Sequence, residues 1–201
     1  MLEVKDATIA VGEQLLAERL SFTARDGELT CVTGPASSGK TVLLRTLMGF
    51  LPVREGFVSV DGELLTLRSS HAFRSLMLYL PQQMQQLRHQ LCEPEAPQPD
   101  AESFGVWNQL LPQAVEVEQP EPLSPEEIFQ LAQDELCRGA EKPIVIADEP
   151  AALLPPELGV RMLELLRREA EAGKTVLVAS RLPLIVDHAD LVIEMKKLNS
   201  V

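Results

Sequence analysis

The sequence predicts an α/β protein in which a mostly parallel sheet is flanked by helices, and three observations predict it. Strand-like and helix-like patterns alternate from Pro125 onward, which argues parallel strands joined by helical crossovers. The first 33 residues alternate and turn like β structure. Between these regions, GPASSGKT at 34–41 stands after an apolar strand and before an amphipathic helix.

The elements follow in order. LEVKDATIAV is a strand that breaks at Gly12, and ELTCVT is a strand leading to Gly34. GKTVLLRTLMGF reads as a helix with Leu43, Leu44 and Leu47 on one stripe. FVSVDGELL at 57–65 reads as a hairpin about Asp61-Gly62, and LMLYL at 76–80 as a buried strand. Residues 91–126 hold seven of the fifteen prolines and are expected to be irregular, apart from a short helix at SFGVWNQLL. Phe104, Trp107 and Leu111 of that helix read as local core or as a docking face. Beyond Pro125 come a helix to about Arg138, the strand PIVIA, the helix PELGVRMLELLRREAEAG, the strand TVLVAS, the helix LPLIVDHA and the strand LVIEM.

With 201 residues the chain is expected to build one core, and with aromatics at 4% that core should be aliphatic. No apolar run approaches the ~20 residues of a membrane span, and the start lacks the order of a secretory signal, so a cytosolic setting is expected. Cys31, Cys92 and Cys137 show no paired spacing and read as reduced thiols. The net charge of -12 is unevenly placed. From His89 to Cys137 there is no Lys or Arg but there are eleven acids, while the remainder is close to neutral. Nucleic acid, which calls for a basic footprint, is disfavoured as a partner.

GPASSGKT fits G-x-x-x-x-G-K-[ST], a loop whose backbone N–H groups cradle phosphate. Gly34 and Gly39 supply the turns, with Pro35, Ala36, Ser37, Ser38 and Val42 completing the cradle. The helix N-terminus adds positive potential, Lys40 neutralises the β and γ phosphates, and the Thr41 hydroxyl joins a Mg²⁺ shell. PIVIADEP supplies the matching acids at a strand tip: Asp148 to hold Mg²⁺ through water, and Glu149 to polarise an attacking water as catalytic base.

The order of these parts, with YLPQ at 79–82, LS at 123 and DEP at 148, resembles the ATP-binding cassette (ABC) ATPases over essentially the whole chain. The loop alone is also similar to that of bacterial recombinases, but DEP and the acidic charge favour the cassette. The resemblance implies one nucleotide-binding domain over 1–201 that binds ATP and Mg²⁺. It also implies an N-terminal antiparallel β subdomain and a reduced helical lobe at about 83–138. It makes Gln82 the mobile glutamine that touches Mg²⁺ and the attacking water. As partners it implies a membrane permease and a second cassette, identical or different, facing head to tail, with the protein peripheral on the cytoplasmic side of a membrane.

The sequence also departs from the family pattern. Where the partner-facing signature LSGGQ is expected, the chain reads Leu123-Ser124-Pro125-Glu126-Glu127. That is a sound helix start, with Ser as N-cap, Pro at the first position and Glu closing a capping box. As a receptor for a neighbour's γ-phosphate it fails, because Pro125 has no N–H and two carboxylates stand in the way. Val11 falls near the adenine-stacking aromatic, Ser37 replaces a glycine, Ala152-Leu153-Leu154-Pro155 lacks an acid that crosses the dimer seam, and Arg181 takes the place of the switch histidine. The expected function is an ATPase subunit of a transporter with low or partner-dependent turnover. The alternative is a subunit that binds nucleotide without hydrolysing it and serves a regulatory or structural role.

Overall fold

The computed structural model describes residues 1–84 and 122–196 and contains two sheets. The first is antiparallel, in the order β2-β1-β4-β5, from β1 (Leu2–Val11), β2 (Gln14–Ala24), β4 (Glu55–Val60) and β5 (Glu63–Leu64). The second is parallel, in the order β6-β7-β8-β3-β9. Its strands are β3 (Leu29–Thr33), β6 (Met77–Leu80), β7 (Ile144–Asp148), β8 (Thr175–Ala179) and β9 (Leu191–Glu194). This is the expected arrangement of an antiparallel start and a parallel sheet flanked by helices. The segment SFGVWNQLL and most of the expected helical lobe lie outside the described residues.

The parallel strands read as continuous apolar runs because both of their faces are buried. Val145 and Ala147 face one core with Cys31, Val176 and Val178. That core is closed by α3 (Pro125–Arg138), α4 (Pro156–Glu171) and the short α5 (Pro183–Val186). Ile144 and Ile146, the alternate residues of the same strand, face a second core with Leu177 and Val32. That side is closed by α1 (Lys40–Leu47), whose stripe of Leu43, Leu44 and Leu47 is fully buried, together with α2 (Ser70–Ser75) and the antiparallel sheet.

Strand register sets up the functional region. Val32 pairs with Ala179, and Ala179 pairs in turn with Asp148, so β3, β8 and β7 end side by side. The segments that leave these three ends are the Gly34 loop, the Arg181 turn and the Asp148-Glu149 turn. Residues remote in sequence therefore meet at the carboxyl edge of the sheet, where open α/β folds place their ligands. No helix among the described residues is long and apolar enough to cross a membrane.

Candidate nucleotide-binding site

A cavity of about 430 Å³ lies at that edge. Residues 36–42 form its floor, Gln82, Asp148, Glu149 and Arg181 one wall, and Val11, Gln14 and Leu16 another. Gly34 and Pro35 do not line the cavity and contribute through their carbonyls. Lys40 Nζ donates to Gly34 O at 3.0 Å and to Pro35 O at 3.2 Å, which curls the loop around its own ammonium. Leu123 to Glu127 do not line this cavity.

The loop's shape depends on backbone that ordinary residues avoid. Gly34 has φ 148°, and a Cβ there would stand 2.3 Å from Met195 O and 2.9 Å from Ser38 Oγ. Gly39, the N-cap of α1, has φ 92° and lies against the Leu16 side chain, which a Cβ would meet at 3.0 Å. Ser37 is left-handed at φ 61° and carries the strain that a glycine would avoid. The first turn of α1 contains no acid, so the positive end of the helix is not neutralised by its own side chains.

The donor set fits a Mg²⁺-nucleoside triphosphate. Lys40 is 7% exposed and places a buried cation in the floor, and Asp148, 1% exposed, faces it from the tip of β7. Asp148 Oδ1 is buried without a hydrogen-bond partner, as is Ser38 Oγ, and a buried oxygen in that condition needs a cation or a donor. Thr41 lies near enough to the Asp148 carboxyl to oppose its upward shift, so the two groups expected to share a cation already lie together. Among the described residues no group of three or more His, Cys, Asp or Glu is placed to hold a metal ion. A cation here would therefore draw further oxygens from phosphate and water, as Mg²⁺ commonly does.

Burial pushes the Asp148 carboxyl above its usual range, with the neighbouring Glu149 charge acting in the same direction, while Thr41, Lys40 and Arg45 oppose the shift. A carboxyl raised in the folded state stabilises the fold fully below its unfolded value, and that contribution is lost as pH rises through the folded value. At neutral pH the ionised Asp148 thus destabilises the nucleotide-free protein. Asp148→Asn should raise the melting temperature of the free protein at pH 7 by about 2–4 °C, which corresponds to about 1 kcal/mol. In melting curves from pH 7 down to 4 the difference should narrow as the wild-type carboxyl protonates.

Glu149 is 6% exposed and occupies a left-handed conformation at φ 48°. Its Oε1 accepts from Arg181 Nε at 3.1 Å and lies 3.7 Å from Lys40 Nζ. Oε2 accepts from the Arg181 backbone N–H at 3.3 Å. Sequence reasoning singled out every polar residue of this wall but not the Glu149–Arg181 pairing. It also missed Gln14 and Leu16, since nothing in the β1–β2 hairpin marks which of its residues reach the loop.

At the other candidate surface the capping box forms as expected. Ser124 N–H donates to Glu127 Oε2 at 2.8 Å, and Glu127 N–H donates to Ser124 Oγ at 3.3 Å. The amides of Ser124 and Glu127 are spent on each other's side chains, and Pro125 has none to offer.

Comparison with known proteins agrees with this geometry. A family model described as ABC transporter matches residues 17–152. The vitamin B12 import ATP-binding protein BtuD of Vibrio vulnificus is 31% identical over 217 residues, covering 92% of the chain and 81% of the relative. The ABC transporter ATP-binding/permease protein Rv1747 of Mycobacterium tuberculosis is 28% identical over 212 residues, covering 96% of the chain. The chain spans 24% of that protein's length, and 36% and 42% of relatives from Treponema denticola and Methanosarcina mazei. Among solved structures, a dimeric ATP-binding cassette in a post-hydrolysis state, bound to ADP and Pi, superposes with a TM-score of 0.71 at 19% identity. That match covers 98% of the chain and 95% of the solved one, and it concerns the fold.

Proposed function

The chain belongs to the ABC transporter family, and from that premise we propose that it is an ATP-binding cassette subunit that grips Mg²⁺-ATP with its own loop and serves a membrane permease. One observation carries the reading. The buried Lys40 ammonium, tethered to Gly34 O and Pro35 O, shares a cavity with the unpartnered Oδ1 of Asp148. That combination of fixed cation and bare acid suits a Mg²⁺-bound polyphosphate and little else.

The residues divide the work. The amides of the 34–42 loop and the N-terminus of α1 hold phosphate oxygens, Lys40 neutralises their charge, and Thr41, Asp148 and Gln82 hold the Mg²⁺ shell. Mg²⁺, when bound, lowers the charge on the reacting phosphate. Glu149 orients the attacking water and accepts its proton on a carboxylate oxygen. The chain acts as one nucleotide-binding domain at the cytoplasmic face of a membrane. It is paired head to tail with a second cassette whose intact signature completes this chain's site. The acidic stretch from His89 to Cys137 supports a permease partner, since cytoplasmic loops of membrane proteins carry excess Lys and Arg. The permease sets the substrate and the direction of transport.

Phosphate release measures the enzymatic part of the proposal. Turnover should rise when a cassette with an intact signature is added, and Glu149→Gln should lower it about a hundredfold, within the range of general-base effects. Flat kinetics with and without a partner would remove this reading. The engagement of both Glu149 oxygens by Arg181 favours a second reading, a subunit that binds nucleotide without hydrolysing it. In that case nucleotide would raise the melting temperature with no phosphate released under any pairing.

A further inference from the structure

The two walls of the cavity differ in chemistry. One carries Gln82, Asp148, Glu149 and Arg181, which suit the reacting end of a triphosphate and its cation. Across the floor stand Val11, Gln14 and Leu16, two aliphatic side chains and one uncharged amide. A nucleotide whose phosphates lie along residues 36–42 lays its sugar and base toward this second wall, because the first is taken up by charge. The wall is the end of a hairpin: Val11 closes β1 and pairs with Gln14, which opens β2, across a turn at Gly12 with φ 60°. Val11 is 50% exposed, and Gln14 is exposed as well.

Among the described residues no aromatic side chain lines the cavity, and each described ring is engaged elsewhere. Phe22, Phe73 and Tyr79 pack in the second core and Phe129 in the first. Phe50 lies under Arg74 and Phe57 under Lys5. We infer that the site selects its ligand by the polyphosphate and does not read the base: its substrate class is any Mg²⁺-nucleoside triphosphate, and inorganic triphosphate competes for the same place. The inference rests on the reading of the cavity as a triphosphate site. Base selection needs fixed polar groups that the wrong base leaves unpaired, and stacking needs a flat partner. Val11 and Leu16 supply neither, and they sense a base only through the area it covers. The Gln14 amide presents a donor or an acceptor according to its rotation, so it meets adenine, guanine or uracil alike. Lys40 and the loop amides address phosphate, which all these ligands share.

Calorimetry on the full chain tests this, with Mg²⁺ and non-hydrolysable analogues of ATP, GTP and UTP, and with inorganic triphosphate. In the wild type the three nucleotides should bind within about fivefold of one another, and inorganic triphosphate should displace them. Val11→Tyr, which adds a ring to the hairpin wall, should tighten all three nucleotides about fivefold or more and leave inorganic triphosphate unchanged, a split that a merely structural effect would not produce. Gln14→Ala should keep the three nucleotides within the same fivefold band. Melting curves first confirm that both variants fold. A preference beyond fivefold for one base in the wild type, or inorganic triphosphate that fails to displace bound nucleotide, would overturn the inference and leave the triphosphate site intact. So would a Val11→Tyr variant that binds the nucleotides no more tightly, or that tightens inorganic triphosphate equally. Failure of the wild type to bind any of the four ligands would remove the site itself and this inference with it.

Discussion

Lys40→Ala should abolish the melting shift expected of the wild type with Mg²⁺-ATP and lower affinity about a thousandfold. The ammonium is 7% exposed and aimed by two loop carbonyls, so its position is set before ligand arrives. A unit charge at about 4 Å from a phosphate oxygen, at an effective dielectric near 20, is worth about 4 kcal/mol, or about three decades in affinity. Alanine also releases Gly34 O and Pro35 O, so the loop loses its tether along with its charge. The free protein should tolerate the change, because Glu149 keeps its Arg181 contacts. Wild type at about 100 times its dissociation constant gains about 2.7 kcal/mol of stability from ligand, and the variant should gain none. Melting curves with and without Mg²⁺-ATP, with calorimetry, make the measurement. A variant that keeps the full shift would show that the loop does not hold the phosphates.

The parts of this site that sequence reveals are those held by local rules. The 34–41 loop carries its signature in consecutive residues, and Asp148 follows a strand whose buried run Ile144 to Ala147 is plain in the sequence. The hairpin turn at Asp61 and Gly62, with φ 50° and 83°, and the capping box at Ser124 are legible for the same reason. What escapes is either too short or too distant to leave a pattern. The six-residue α2 has no side-chain cap at Ser69, and it is held by Phe73, buried in the second core, rather than by any sequence periodicity. LPLIVDHA reads as a longer helix, but regular structure spans only Pro183–Val186. Its turn is anchored instead by Ile185 in the core and by His188 Nδ1 at 2.8 Å from Leu184 O. The contact of Leu16 with Gly39 and the pairing of Glu149 with Arg181 join separate segments, and only the packing of the two sheets and the register of β7 with β8 create them.

Restoring the partner-facing turn is expected to have an effect of similar size but opposite sign. Pro125→Gly, Glu126→Gly and Glu127→Gln together should let the chain form a nucleotide-dependent dimer, in a Glu149→Gln background that blocks turnover. The native turn opposes such a dimer in two ways. Its Ser124 and Glu127 amides already donate within the capping box, with Pro125 between them lacking one, so three of four positions have nothing to give an anion. In such a dimer its two carboxylates would also meet the neighbour's triphosphate as like charges, and each such pair at about 4 Å would oppose assembly by about 4 kcal/mol at an effective dielectric near 20. Removing the box and its Glu costs about 1 kcal/mol of helix stability, and each new glycine near the helix start up to about 1 more. The variant should therefore melt lower when free and yet associate when Mg²⁺-ATP is added. Light scattering on both proteins at equal concentration reads the result. If the native LSPEE chain dimerises as tightly as the variant, the turn is no barrier, and pairing with a different, intact cassette loses its chemical motive.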